Sequence, residues 1–162
     1  MKLYFKVSIL GTLALLLYLR VNAQSGKVPP FRIIQPDGKI FKAEELPFGK
    51  PILIVYFSPE CEECHKLTYE LLNRINDLKN VSMVFITYTS VESVSKFVID
   101  NNLRKYTNIY IGTEGNYLFV LKYYDIKQFP FIALFDKEGN LIKKYYSKEV
   151  NLDDLIDHLK GL

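Results

Sequence analysis

Pro51 opens the run Ile52-Leu-Ile-Val-Tyr-Phe57, which Ser58-Pro59 closes. Six consecutive apolar residues, β-branched or aromatic and without polar alternation, predict a strand covered on both faces. A helix is predicted next, from about Cys61 to Lys79, with Leu67, Leu71, Leu72, Ile75 and Leu78 along one stripe. A doubly covered strand feeding an amphipathic helix commits the chain to an α/β layer structure.

The remaining segments extend that pattern. Phe31 to Ile34 and Lys39 to Phe41 flank the turn Gln35-Pro-Asp-Gly38 and predict an N-terminal β-hairpin. Val81 to Tyr88 predicts a second buried strand. Thr89-Ser-Val-Glu92 has the pattern of a capping box, with Thr89 as cap, ahead of a helix carrying Val91, Val94 and Val98. A short strand at Asn108 to Ile111 and a helix around Tyr117 to Tyr124 lead to Phe129-Pro130. Phe131 to Phe135 and Asn140 to Tyr146, joined by Asp136-Lys-Glu-Gly139, predict an antiparallel pair. Asn151 then caps a closing helix with Leu152, Leu155, Ile156 and Leu159 on one face. The reading is one domain, residues 31–162, around a mixed central sheet.

The first 23 residues read as a secretory signal peptide. Lys2 and Lys6 are followed by the apolar run Val7 to Leu19, then Val21-Asn22-Ala23 as a cleavage site. The run is shorter than the roughly 20 residues a membrane-spanning helix needs. Export follows, to the periplasm in a Gram-negative cell, with membrane tethering if the segment is retained. Residues 24–30 read as a flexible leader. Removing Lys2, Lys6 and Arg20 from 21 basic residues leaves 18 against 18 acidic ones. The near-neutral remainder has no polybasic run, which argues against nucleic acid as a partner.

The chain has two cysteines, Cys61 and Cys64, in Ser58-Pro-Glu-Cys-Glu-Glu-Cys-His65. A bridge closing so short a loop constrains an unfolded chain little, so chemistry explains the pair better than stapling does. Cys61 falls where a strand hands over to a helix, and unpaired amides with the helix dipole favour a thiolate there. Cys61 is then the exposed nucleophile. Cys64, one helical turn on, is the more buried thiol that resolves a mixed disulfide.

At these residues the chain resembles the thioredoxin-like superfamily. Ile52 to Cys64 looks like the strand and active-site turn of thioredoxins, and Phe129-Pro130-Phe131 to Gly139 resembles the family's cis-proline segment and its hairpin. The leading hairpin, and the extra strand and helix between Cys64 and Pro130, make it similar to the exported TlpA/ResA-like branch. The resemblance implies a three-layer thioredoxin-like fold and a cis Pro130 that helps hold substrate chains. It implies a thiol–disulfide oxidoreductase acting on protein disulfides. No cofactor beyond the Cys61–Cys64 disulfide is needed, and a membrane thiol carrier is the expected electron donor; the protein is expected to be a monomer. The departures are Glu60 for the tryptophan before the first cysteine, Val55 for a buried aspartate, Glu62-Glu63 for Gly-Pro, and Phe131 for the threonine that often follows the proline.

Glu60, Glu62 and Glu63 oppose a thiolate at Cys61, with His65 and Lys66 offering partial relief. That predicts a thiol less acidic than those of strong oxidants and a potential toward the reducing end, around −270 mV. Alternatively both intervening glutamates favour the first helical turn and point into water. Phe129 and Phe131 are expected to form an apolar lip beside the disulfide. Binding of a soft metal such as copper by the cysteines with His65 is disfavoured, since the copper-chaperone relatives of thioredoxin use a longer cysteine spacing and a distant histidine, and His158 lies in the closing helix. A peroxidase motif is not seen. The competing reading is a non-catalytic binding module in which Cys61–Cys64 is a permanent disulfide.

Overall fold

The computed structural model describes residues 26–161. The segment expected as a signal peptide, and the start of the leader, lie outside them. Seven strands form one mixed sheet in the order β2-β1-β5-β4-β3-β6-β7. Strands β1 (Arg32–Ile34) and β2 (Ile40–Lys42) form the leading hairpin. The parallel core is β3 (Ile52–Tyr56), β4 (Ser82–Thr87) and β5 (Ile109–Thr113). Strands β6 (Phe131–Phe135) and β7 (Leu141–Tyr146) run antiparallel beyond β3. The helices are α1 (Glu62–Asn73), α2 (Val91–Asp100), α3 (Phe119–Tyr123) and α4 (Leu152–Lys160).

Strand alternation sorts the buried side chains into two cores. Leu53, Val55 and Phe57 face one layer with Leu67 and Leu71 of α1, Phe97 of α2 and Leu155 of α4. Ile52, Ile54 and Tyr56 face the other with Val120 of α3 and with Phe31, Ile33 and Phe41 of the hairpin. The result is the expected three-layer arrangement. Full burial of each such aliphatic or aromatic side chain contributes about 1.5–3 kcal/mol relative to exposure.

Four local details differ from the sequence reading. Helix α1 ends at Asn73 rather than Lys79, because a run of turns follows in which N–H groups bond three residues back, Leu78 to Ile75 and Val81 to Leu78. The Asn108 amide closes that run, donating to the carbonyls of Leu78 and Val81 at 2.9 Å each. Helix α2 is capped by Ser90, whose hydroxyl accepts from the Ser93 N–H at 3.2 Å, while Thr89 turns to Thr87. The helix expected at Tyr117–Tyr124 shrinks to five residues because Leu118, at φ 50°, breaks it from a preceding 3₁₀ turn. Lastly, residues 26–28 are not a free leader. Lys27 bridges Asn140, Val28 N–H donates to Gly139, and the Gly26 carbonyl accepts from Leu141.

Candidate active site

Strands β3, β4 and β5 are parallel, so their C-terminal ends share one edge of the sheet. The loop after β3 begins with buried Phe57 and Ser58 and delivers Cys61 to the start of α1. Cys61 is the helix N-cap. Its N–H donates to the Ser58 carbonyl at 3.1 Å, and its Sγ accepts from the Cys64 N–H at 3.2 Å. Sulfur thus occupies the place a serine or aspartate oxygen takes in an ordinary cap. A thiolate there meets an amide donor and the positive end of the helix.

Cys61 and Cys64 are joined by a disulfide, with Cα atoms 5.2 Å apart. Their environments differ. Cys61 is partly exposed, whereas Cys64 is 1% exposed and packed in the core with Val55, Phe57 and Leu67. Glu60, Glu62 and Glu63 are all exposed, the last two in the first turn of α1. His65 is half-buried. Because a carbonyl can only accept, its Nε2 is the donor in the 2.7 Å bond to Pro59, and its ring lies 4.9 Å from that of Phe97.

The Phe129–Pro130 peptide is cis, and the Pro130 carbonyl accepts from Ser147 N–H at 2.7 Å. A groove of about 340 Å³ runs between α1 and this segment, lined by Glu63, Lys66, Glu70, Pro130 and Ser147 among others. Phe129 is partly buried between the two cores. Phe131 is not a lip residue: as the first residue of β6 it is fully buried, packed on Tyr124 and Tyr146 at 5.0 and 5.2 Å. The exposed aromatic beside Phe129 is Tyr88, just past β4, with ring centroids 5.9 Å apart.

Val55 is buried beside Cys64, so that position offers the pair no carboxylate. A buried acid does exist, Glu114 at the end of β5, but it belongs to the opposite face. It accepts from the Tyr56 hydroxyl at 2.6 Å and from the Val120 N–H at 2.8 Å. Burial first, and then the Glu114 carboxylate, hold the Tyr56 phenol protonated far above the ordinary range. Sequence reasoning missed Glu114, which sits in a Glu-Gly-Asn stretch that reads as a solvated turn. His158, on α4, bonds the Asp154 carbonyl at 2.7 Å within its own helix. Among the described residues no group of three or more His, Cys, Asp and Glu is placed to hold a metal.

The class defined by a strand, a CxxC at the following helix start and a cis-proline strand beside it is thioredoxin-like. The chain belongs to the thioredoxin-like domain family, whose model matches residues 46–160. The hairpin β1–β2 precedes the family's core, and β4, α2, β5 and α3 stand between α1 and Pro130, as expected from the sequence. No curated protein matches the sequence. Solved structures share the fold. One is the thioredoxin domain of a thiol-disulfide oxidoreductase from Bacteroides vulgatus, with a TM-score of 0.68 at 24% identity, covering 85% of this chain and 95% of that one. Another is a secreted Mycobacterium tuberculosis disulfide oxidoreductase homologous to E. coli DsbE, with a TM-score of 0.67 at 18% identity over 82% and 96% of the two chains. A thiol-disulfide oxidoreductase from Bacteroides fragilis gives 0.67 at 17% identity over 83% and 98%.

Proposed function

We propose that this protein is a thiol–disulfide oxidoreductase that reduces or exchanges protein disulfides outside the cytosol. The observation that carries the reading is the asymmetry of the pair: a partly exposed Cys61 at a helix N-cap, bonded to a buried Cys64. In the reduced protein the Cys61 thiolate attacks one sulfur of a substrate disulfide. That S–S bond breaks, a Cys61–substrate disulfide forms, and the departing sulfur leaves as a thiolate that takes up a proton. Cys64, losing its proton, then attacks Cys61 Sγ and releases the second substrate sulfur. Two electrons have passed from the dithiol to the substrate, and Cys61–Cys64 is oxidised. A donor dithiol, which we take to be a membrane thiol carrier, reverses the change by reducing Cys61–Cys64 and becoming a disulfide itself. The chemistry calls for no other cofactor, and the protein works as a monomer.

The direction is reducing. Glu60, Glu62 and Glu63 add negative charge around Cys61, which weakens the stabilisation of a thiolate that makes a strong oxidant. Pro130 lines the groove in which the substrate chain lies, and Phe129 precedes it across the cis peptide bond. Export is supported by the signal-like residues 1–23 and by the secreted M. tuberculosis neighbour.

Dithiothreitol-driven reduction of insulin tests the activity, with Cys61→Ser as control. The wild type is expected to accelerate insulin reduction and the variant to match the uncatalysed rate. Equilibration with a dithiothreitol or glutathione buffer tests the direction: a potential near −270 mV is expected, and one above about −150 mV contradicts a reductant.

A further inference from the structure

Among the described side chains, Glu114 is the one acidic or basic group that is buried, at 3% exposure. Its carboxylate has three donors. Val120 N–H binds Oε2 at 2.8 Å, Leu121 N–H binds Oε1 at 3.3 Å, and the Tyr56 hydroxyl binds Oε1 at 2.6 Å. The first two cap the start of α3, which has no side-chain cap of its own at Leu118. The third does something different. It reaches from β5 past β4 to the last residue of β3 and fixes the fully buried Tyr56 ring. A hydrogen bond to a charged acceptor in a buried setting is among the stronger ones a neutral side chain makes.

Tyr56 in turn stacks on Phe129, with centroids 5.9 Å apart and planes at 23°. Phe129 immediately precedes Pro130, and Tyr88 packs on it at 5.9 Å as well. A continuous path of contacts therefore runs from the carboxylate through one phenol and one phenyl ring to the proline beside the substrate groove. We infer that Glu114, acting through Tyr56, is a positioning residue that fixes Phe129 and with it the Pro130 rim against which a protein substrate binds. This rests on the oxidoreductase reading above. Glu114 and Cys64 lie on opposite faces of the sheet and the path meets the Cys64 side at Phe129, so loss of the Glu114 bond should be felt at the Phe129–Pro130 peptide, in substrate docking, rather than at the cysteine pair.

The test compares two substrates of the intact protein, insulin and glutathione disulfide, at a temperature at which circular dichroism shows every variant folded. Tyr56→Phe keeps the ring and its stacking but removes the bond to Glu114. It is expected to raise the KM for insulin about three- to tenfold, the range of one lost hydrogen bond. Turnover of glutathione disulfide and the pH titration of Cys61 thiolate absorbance are expected to stay at wild-type values. Glu114→Gln, which gives up one acceptor oxygen, should show the same split between substrates. Phe129→Leu should raise the insulin KM as well, and should add little when combined with Tyr56→Phe. Variants that merely melt earlier, with both KM values unchanged, overturn the inference and leave a structural cap. A wild type that fails to turn over insulin overturns the functional reading itself, and this inference with it.

Discussion

His65 Nε2 donates to the Pro59 carbonyl over 2.7 Å, tying the first turn of α1 back to the loop that carries Cys61. The same ring lies 4.9 Å from Phe97 of α2, so one side chain joins the active-site loop to two helices. Its contribution to the site is therefore anchorage of the Ser58–Glu60 loop.

Truncating that side chain should be felt as stability. His65→Ala removes a hydrogen bond and a ring contact, and the expected loss is about 1–2 kcal/mol for the oxidised protein. Equilibrium unfolding in urea measures it. A midpoint unchanged from wild type would show that the loop is held by other contacts.

Asp154 sets a pH dependence. It accepts from Lys143 Nζ at 2.9 Å and from the Tyr145 hydroxyl at 3.0 Å, linking α4 to β7. The Lys143 bond first, and then Tyr145, hold its carboxyl below the ordinary 3.8. A carboxyl whose folded pKa is depressed contributes stability above its unfolded pKa and loses it as pH falls through the folded value. The melting temperature of the wild type should therefore fall as pH drops below about 4. Asp154→Asn should melt lower than wild type at pH 7, with the gap closing in acid. Melting curves from pH 7 to pH 2 for both proteins decide it, and a gap that stays constant contradicts the linkage.

Gly112 marks where the hairpin meets the sheet. A Cβ at this position would lie 2.6 Å from the Ile34 carbonyl oxygen and 3.0 Å from Ile33 Cβ, so β1 could not approach β5 as closely. The obstruction is backbone and cannot rotate away. Gly112→Ala is expected to destabilise by about 1–3 kcal/mol, the range for overpacking, as read from urea unfolding. A neutral effect would mean that β1 can shift without cost.

Much of this architecture was legible because it is local. Ile52 to Phe57 reads as a doubly covered strand, and β3 is indeed buried along its whole length between two helical layers. The Cys-x-x-Cys placement at a helix start depends only on the residues on either side of it. What stayed hidden depends on partners distant in sequence. Tyr56 reads as one more core aromatic and Glu114 as a turn residue, until the parallel register of β3, β4 and β5 brings them within 2.6 Å. Phe131 reads as a lip residue because it follows Pro130, whereas its pairing with Tyr56 in β3 commits it to the core. The α2 cap slipped by one residue because Thr89 and Ser90 are chemically equivalent caps, and only the backbone path chooses between them.

The central claim is that Cys61 attacks substrate disulfides and Cys64 resolves them. Trapping in a cellular extract tests it directly. Cys64→Ser is expected to accumulate covalent complexes through Cys61 that dissolve on adding dithiothreitol, while Cys61→Ser accumulates none. If Cys64→Ser captures nothing, the pair is a permanent disulfide in a binding module and the exchange mechanism is wrong.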